Sequence, residues 1–159
     1  MSRREQSLES LYYEHAAGLL GFLTYQTGDR ALAEEIVADT FERLLTTGSS
    51  WRGRSSQKTW LYSIALNRTR HVARRRGAET RALARVPVTA GADQLGAVGD
   101  RDLLHRAMQA LSDEERAVVA LRFGGELSLS EIAELLEERR STIEGRLYRG
   151  LRRLRDAAR

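Results

Sequence analysis

Apolar residues recur at intervals of three and four along almost the whole chain, and no window alternates as a half-buried strand would. That period admits one fold class, all-α. It lapses in a single stretch, GAETRALARVPVTAGADQLGAVG, from Gly77 to Gly99, which concentrates glycine and holds the only proline. Such a composition reads as a flexible linker. The chain is 159 residues long, enough for two small helical domains. The expected organisation is an N-terminal bundle over 1–76, a linker over 77–99 and a C-terminal domain over 100–159.

The first half divides into a helix from about Leu8 to Gln26, a second opening near Asp29, and a third from about Lys58 to Arg76, with Gly28 and Gly48 as punctuation. In the second helix Leu32, Ile36, Val37, Phe41, Leu44 and Leu45 make one apolar stripe, and the flanks carry Glu34, Glu35, Asp39, Glu42 and Arg43. The third turns Trp60, Leu61, Ile64 and Ala65 inward and leaves Asn67, Arg68, Arg70, His71 and Arg74 to point outward. Between the two lies a polar loop, Gly48 to Gln57, with Trp51, Arg52, Arg54, Ser55 and Ser56. Trp60 belongs to the core by its helical position. Trp51, in a loop without periodicity, is open to either a packing or a stacking role.

The second half has three helix starts in which a serine is followed three residues later by a glutamate: Ser112/Glu115, Ser128/Glu131 and Ser141/Glu144. Each is a candidate capping box, in which the two side chains satisfy each other's orphan backbone N–H groups. A short helix, SLSEIAELLEE, leads through a tight connection into a longer one whose buried stripe is Ile143, Leu147, Leu151 and Leu154. That is a helix-turn-helix pattern. In such a unit the N-terminal residues of the last helix lie near base edges in the major groove. The expected contacts are Arg139, Arg140, Ser141, Thr142 and Arg146, with Arg149 nearer the phosphates.

Charge supports a polyanionic partner by its placement. From Asp100 to Glu138 ten acids face four arginines, whereas Arg139 to Arg159 holds eight arginines and two acids. A second basic cluster runs from Arg68 to Arg85. Two separated basic faces fit DNA, although a helix-turn-helix pattern alone also fits an operator-binding regulator, or a helical adaptor with incidental basic patches. No glycine phosphate loop, nucleophile elbow or paired-acid motif supports an enzyme, and His15, His71 and His105 lack metal-ligand spacing. With no cysteine, disulfides and thiolate metal sites are excluded. No cofactor is expected. The N-terminus has no apolar segment of the secretory kind and no apolar run approaches a membrane span, so the expected location is the cytoplasm, without membrane insertion.

Three segments together, ALAEEIVADTFERLL, KTWLYSIALNRTRHVARRR and ALSDEERAVVALRFGGELSLSEIAELLEERRSTIEGRLYRGLRRLR, resemble the extracytoplasmic-function sigma factors of bacterial RNA polymerase. The resemblance spans about Leu8 to Leu154 apart from the linker. It implies a protein that is not an enzyme but binds core RNA polymerase and directs it to a bipartite promoter. The acidic face of the second helix, Glu35, Asp39, Glu42 and Arg43, would dock on the clamp of the largest subunit, and the C-terminal domain on the flap of the second-largest. The loop with Trp51, Arg52, Arg54, Ser55 and Ser56 would hold a flipped base of the minus-ten element, and Asn67, Arg68, Arg70, His71 and Arg74 would handle adjacent bases and phosphates. Extruding a base costs a few kcal/mol, so a pocket for it is physically required. The minus-thirty-five element would fall to the last helix, and an anti-sigma factor is an expected inhibitor. Three positions depart from the family pattern: Ala38 replaces a glutamine, Glu137 and Glu138 stand where the turn carries a glycine and an apolar residue, and Glu144 replaces a cation.

Overall fold

The computed structural model describes residues 3–47, 56–83 and 98–158, and every regular element among them is helical. The helices are α1 (Arg3–Thr27), α2 (Arg30–Thr47), α3 (Gln57–Leu83), α4 (Val98–Gln109), α5 (Asp113–Val119), α6 (Leu129–Leu136) and α7 (Arg140–Ala157). A π-helical turn, Ala120–Gly124, continues α5. No helix among the described residues is long and apolar enough to cross a membrane.

Local chemistry sets most of the boundaries. Asp29 Oδ1 accepts from the Leu32 backbone N–H at 3.1 Å and opens α2. Ser56 Oγ accepts from the Thr59 N–H at 3.0 Å and opens α3, each satisfying a donor that the first turn leaves orphaned. Ser112 with Glu115 and Ser128 with Glu131 form complete capping boxes on α5 and α6. The third expected box does not form. After α6 the Glu138 N–H donates to the Ala133 carbonyl at 3.0 Å, with Glu137 left-handed at φ 54°, a Schellman closure. The closure ends two residues before α7, whose cap is Arg139 without a side-chain bond, so Ser141 lies inside the helix. Two further differences concern length. α1 opens at Arg3, and α3 continues through Gly77 to Leu83, because one glycine costs a long helix only about 1 kcal/mol. Residues 84–97 of the expected linker lie outside the described residues.

The two halves share one core. Leu19, Phe22 and Leu23 of α1, Ile36, Val37 and Leu44 of α2, and Leu61 and Tyr62 of α3 are contiguous with Val118, Leu121, Leu127, Ile132 and Ile143 of the C-terminal half. Of the expected stripes, Leu45 and Leu151 fail: both are exposed. Leu45 falls in the last turn of α2, and of the expected α7 stripe only Ile143 is fully buried, with Leu147 and Leu154 half-buried.

The halves meet where α1 crosses the π-helical turn. A Cβ on Gly21 would lie 2.3 Å from the Gly124 carbonyl oxygen, and one on Gly124 would lie 2.5 Å from that of Gly21. Only two glycines allow backbones so close. Beside this crossing Tyr62 of α3 packs on Phe22, ring centroids 5.9 Å apart. Burial, followed by the carboxylates of Glu131 and Glu126 from the other half, raises its pKa well above the ordinary 10.0.

Candidate nucleic-acid interface

On the N-terminal half, Glu35, Glu42 and Arg43 of α2 are exposed, as expected. Asp39 is tied inward. Its Oδ2 lies 2.5 Å from Arg68 Nη2 on α3 and 3.8 Å from Arg43 Nε. The structure therefore joins a residue expected to face polymerase to one expected to face DNA. Asn67, Arg70, His71 and Arg74 stand exposed on α3, whereas the Arg68 side chain is only 19% exposed. Ser56 is occupied as the cap of α3. Trp51, Arg52, Arg54 and Ser55 lie outside the described residues. Beside the acidic face of α2 is an apolar groove that the sequence did not signal, lined by Leu8, Tyr12, Phe41 and Leu45 with Glu9 and Glu42 at its edge. Tyr12 meets Phe41 edge to face at 5.2 Å.

On the C-terminal half, α6 and α7 form the helix-turn-helix pair. Arg139, Arg140 and Ser141 are exposed and Thr142 is half-buried at the start of α7. Arg140 is held by Glu144 at 3.2 Å and by Ser130 Oγ at 3.1 Å. Arg149 and Arg153 both reach the buried Glu115, at 3.9 and 3.5 Å. Glu115 thus closes its capping box and anchors the arginines of α7, a second role invisible in sequence because the partners are far along the chain. Arg146 departs most from expectation. Its side chain is only 13% exposed and is paired with Glu138 at 3.2 Å and Glu114 at 3.7 Å.

The reason is a cleft of about 550 Å³ between the halves. Trp60, Asn67 and Arg70 of α3 line one side, and Glu114, Glu134, Glu137, Glu138 and Arg146 line the other. At its edge Lys58 Nζ lies 3.7 Å from Glu131, and the Ser56 backbone N–H donates to Glu134 at 3.3 Å.

Comparison with known proteins finds two family matches. Residues 11–79 match the family described as Sigma-70 region 2, and residues 107–156 match Sigma-70, region 4. The ECF RNA polymerase sigma factor SigL of Mycobacterium tuberculosis is 31% identical, over 93% of this chain and 86% of its own length. ECF RNA polymerase sigma factor SigX of Bacillus subtilis is 30% identical, over 95% of this chain and 83% of its own. The chain belongs to the extracytoplasmic-function sigma factors. As such it is a transcription initiation factor. Among solved structures, sigma factor RpoE of Bartonella quintana, in complex with the anti-sigma factor NepR, shares the fold with a TM-score of 0.75, 22% identity and 96% coverage of both chains.

Within this sigma factor, Glu137 and Glu138, the departures in the turn, line the cleft together with Glu114 and Glu134. Glu144 is spent on Arg140 at the surface. Ala38 is exposed beside Asp39 and supplies no polar group to the α2 face.

Proposed function

We propose that this sigma factor binds core RNA polymerase through the α2 face, with Glu35, Asp39, Glu42 and Arg43 as its charged contacts and the Tyr12/Phe41 groove beside them. Asn67, Arg68, Arg70, His71 and Arg74 of α3, with the loop carrying Trp51, Arg52, Arg54, Ser55 and Ser56, engage and open the minus-ten element. Arg139, Arg140, Ser141, Thr142, Arg146 and Arg149 serve the minus-thirty-five element. The observation that carries this reading is the separation of charge by element: carboxylates exposed on α2, cations exposed on α3 and α7. A long polyanion that meets two basic faces releases counterions at both, whereas a protein partner is met at the acidic one. The inhibitor expected for such a protein is an anti-sigma factor covering these faces.

The test is to mix the protein with sigma-free bacterial core polymerase, isolate the complex by size exclusion and assay transcription on a genomic library. A stable complex that initiates at discrete sites is the expected result. Tight duplex binding by the protein alone, with no binding to core, would make it an operator-binding regulator and reduce the α2 face to a solvated surface.

A further inference from the structure

A carboxylate is costly to bury unless it is paired and hydrogen-bonded. Glu115, in the first turn of α5, is only 4% exposed, and its two oxygens are put to different uses. Oε1 accepts from the Ser112 backbone N–H at 3.1 Å, which closes the capping box of α5, and stands 3.5 Å from Arg153 Nη1. Oε2 stands 3.9 Å from Arg149 Nε. The cap needs only an acceptor, and glutamine serves there as glutamate does. The charge is therefore surplus to the cap, and what faces it is a pair of cations one turn apart on α7. Their side chains remain 58% and 56% exposed, so both are held without being hidden.

The two helices come close enough for this at Gly150. It is buried, and a Cβ there would lie 3.0 Å from Val119 Cγ2 and 3.6 Å from Glu115 Cβ, so a residue without a side chain lets the first turn of α5 sit against α7. Arg149 folds back toward the start of its helix, since a Cβ on Gly145 would lie 3.2 Å from its Nη1. That is the direction of Arg139, Arg140 and Ser141, the residues assigned to base edges. A side chain that reaches a phosphate ordinarily loses its rotamer freedom on binding; here Glu115 has taken that loss in the free protein. Phosphate contacts carry no sequence information, but they fix the register in which neighbouring side chains meet the bases. We infer that Glu115 is a positioning residue for the upstream promoter element: its charge sets Arg149 and Arg153 on the DNA backbone in one geometry, and that geometry aligns the start of α7 with the base edges. The inference rests on the assignment of α7 to the minus-thirty-five element. It goes beyond that assignment in naming a buried residue of another helix on which selectivity depends.

The experiment separates charge from cap. Holoenzyme is assembled from core polymerase and each variant. Its affinity is measured for a fluorescein-labelled promoter recovered by transcription of the genomic library, and for the same promoter with its upstream element scrambled. Glu115→Gln keeps an acceptor for the Ser112 N–H and removes the charge that faces the arginines. Preference for the intact element is expected to fall about tenfold, as on losing one base contact, with the urea midpoint of the free protein nearly unaltered. A more positive chain binds any duplex better, so the ratio of the two affinities is the readout. Ser112→Ala does the converse: the midpoint falls with the cap and the preference stays. An unchanged ratio in Glu115→Gln would leave Glu115 a cap alone, and an equal fall in both variants would reduce the effect to stability; either result overturns the inference. If Glu115→Gln does not fold, Glu115→Asp, which keeps the charge but withdraws it from the arginines by one methylene, is read in the same way. A wild-type holoenzyme that does not distinguish the two promoters overturns the assignment of α7 itself, and the inference with it.

Discussion

Gly21→Ala sets two well-known effects against each other. In a free helix, replacing a mid-helix glycine with alanine stabilises by about 1 kcal/mol. In this structure the new Cβ would lie 2.3 Å from the Gly124 carbonyl oxygen and 3.3 Å from its carbonyl carbon. A carbon and an oxygen settle at about 3.3 Å, so α1 and the π-helical turn must part by about 1 Å. Backbone cannot step aside as a side chain can, and overpacking of this kind costs about 1–3 kcal/mol. The net is a loss of up to about 2 kcal/mol, with the closed arrangement weakened while α1 itself is strengthened. At about 2–4 °C per kcal/mol for a chain of this length, thermal unfolding should fall by up to about 8 °C. Small-angle scattering should show a larger radius of gyration, since the halves part where they touch. Gly124→Ala, with its Cβ 2.5 Å from the Gly21 oxygen, should act alike. A rise of 2–4 °C with an unchanged radius would refute the reasoning, because it would mean that α1 lies free of the turn.

Three other outcomes follow from single contacts. Glu137→Gly removes a non-glycine residue from the left-handed region and should stabilise the fold by about 0.5–1 kcal/mol, read as a higher urea midpoint; a lower one would mean that the Glu137 side chain contributes more than its backbone costs. Asp39→Asn breaks a half-exposed pair with Arg68 and should cost at most about 1 kcal/mol in stability. Its larger effect should be on affinity for core polymerase, measured by fluorescence anisotropy, and unaltered core binding would remove Asp39 from the docking face. His15 is held below its ordinary pKa of 6.5 by burial, partly offset by Glu14, with Lys58 adding to the lowering. The fold therefore prefers the neutral ring: its contribution is complete above pH 6.5 and is lost as pH falls through the lowered folded value. Urea midpoints of the wild type should decline over that acid range more steeply than those of His15→Gln, and identical slopes would contradict the assignment.

What the sequence disclosed was the part written in local pattern. The helices of both halves follow from apolar spacing, and two of the capping boxes from serine and glutamate three apart. The third pair, Ser141 and Glu144, has the same spacing yet is not a cap, because the Schellman turn at Glu137 sets the start of α7 at Arg140. Pattern cannot see a turn closing upstream. Leu45 and Leu151 continue their stripes but stay exposed, since burial also depends on what lies opposite. The candidate site divides likewise. Exposure of Asn67, Arg70, His71 and Arg74 was legible from the stripe of α3. The burial of Arg146 against Glu114 and Glu138, the grip of Glu115 on Arg149 and Arg153, and the meeting of Gly21 with Gly124 join residues distant in the chain, where no period operates.

The ion pair between Asp39 and Arg68 makes α2 and α3 report to each other. A cation on a partner protein that draws Asp39 toward itself takes a counter-ion from Arg68, and a phosphate that draws Arg68 does the converse. Thermodynamic linkage makes the effect reciprocal: whatever factor a ligand on α2 applies to binding at α3, a ligand on α3 returns to α2. A double-mutant cycle across the 2.5 Å contact between Asp39 and Arg68 would measure how strongly the two helices are coupled.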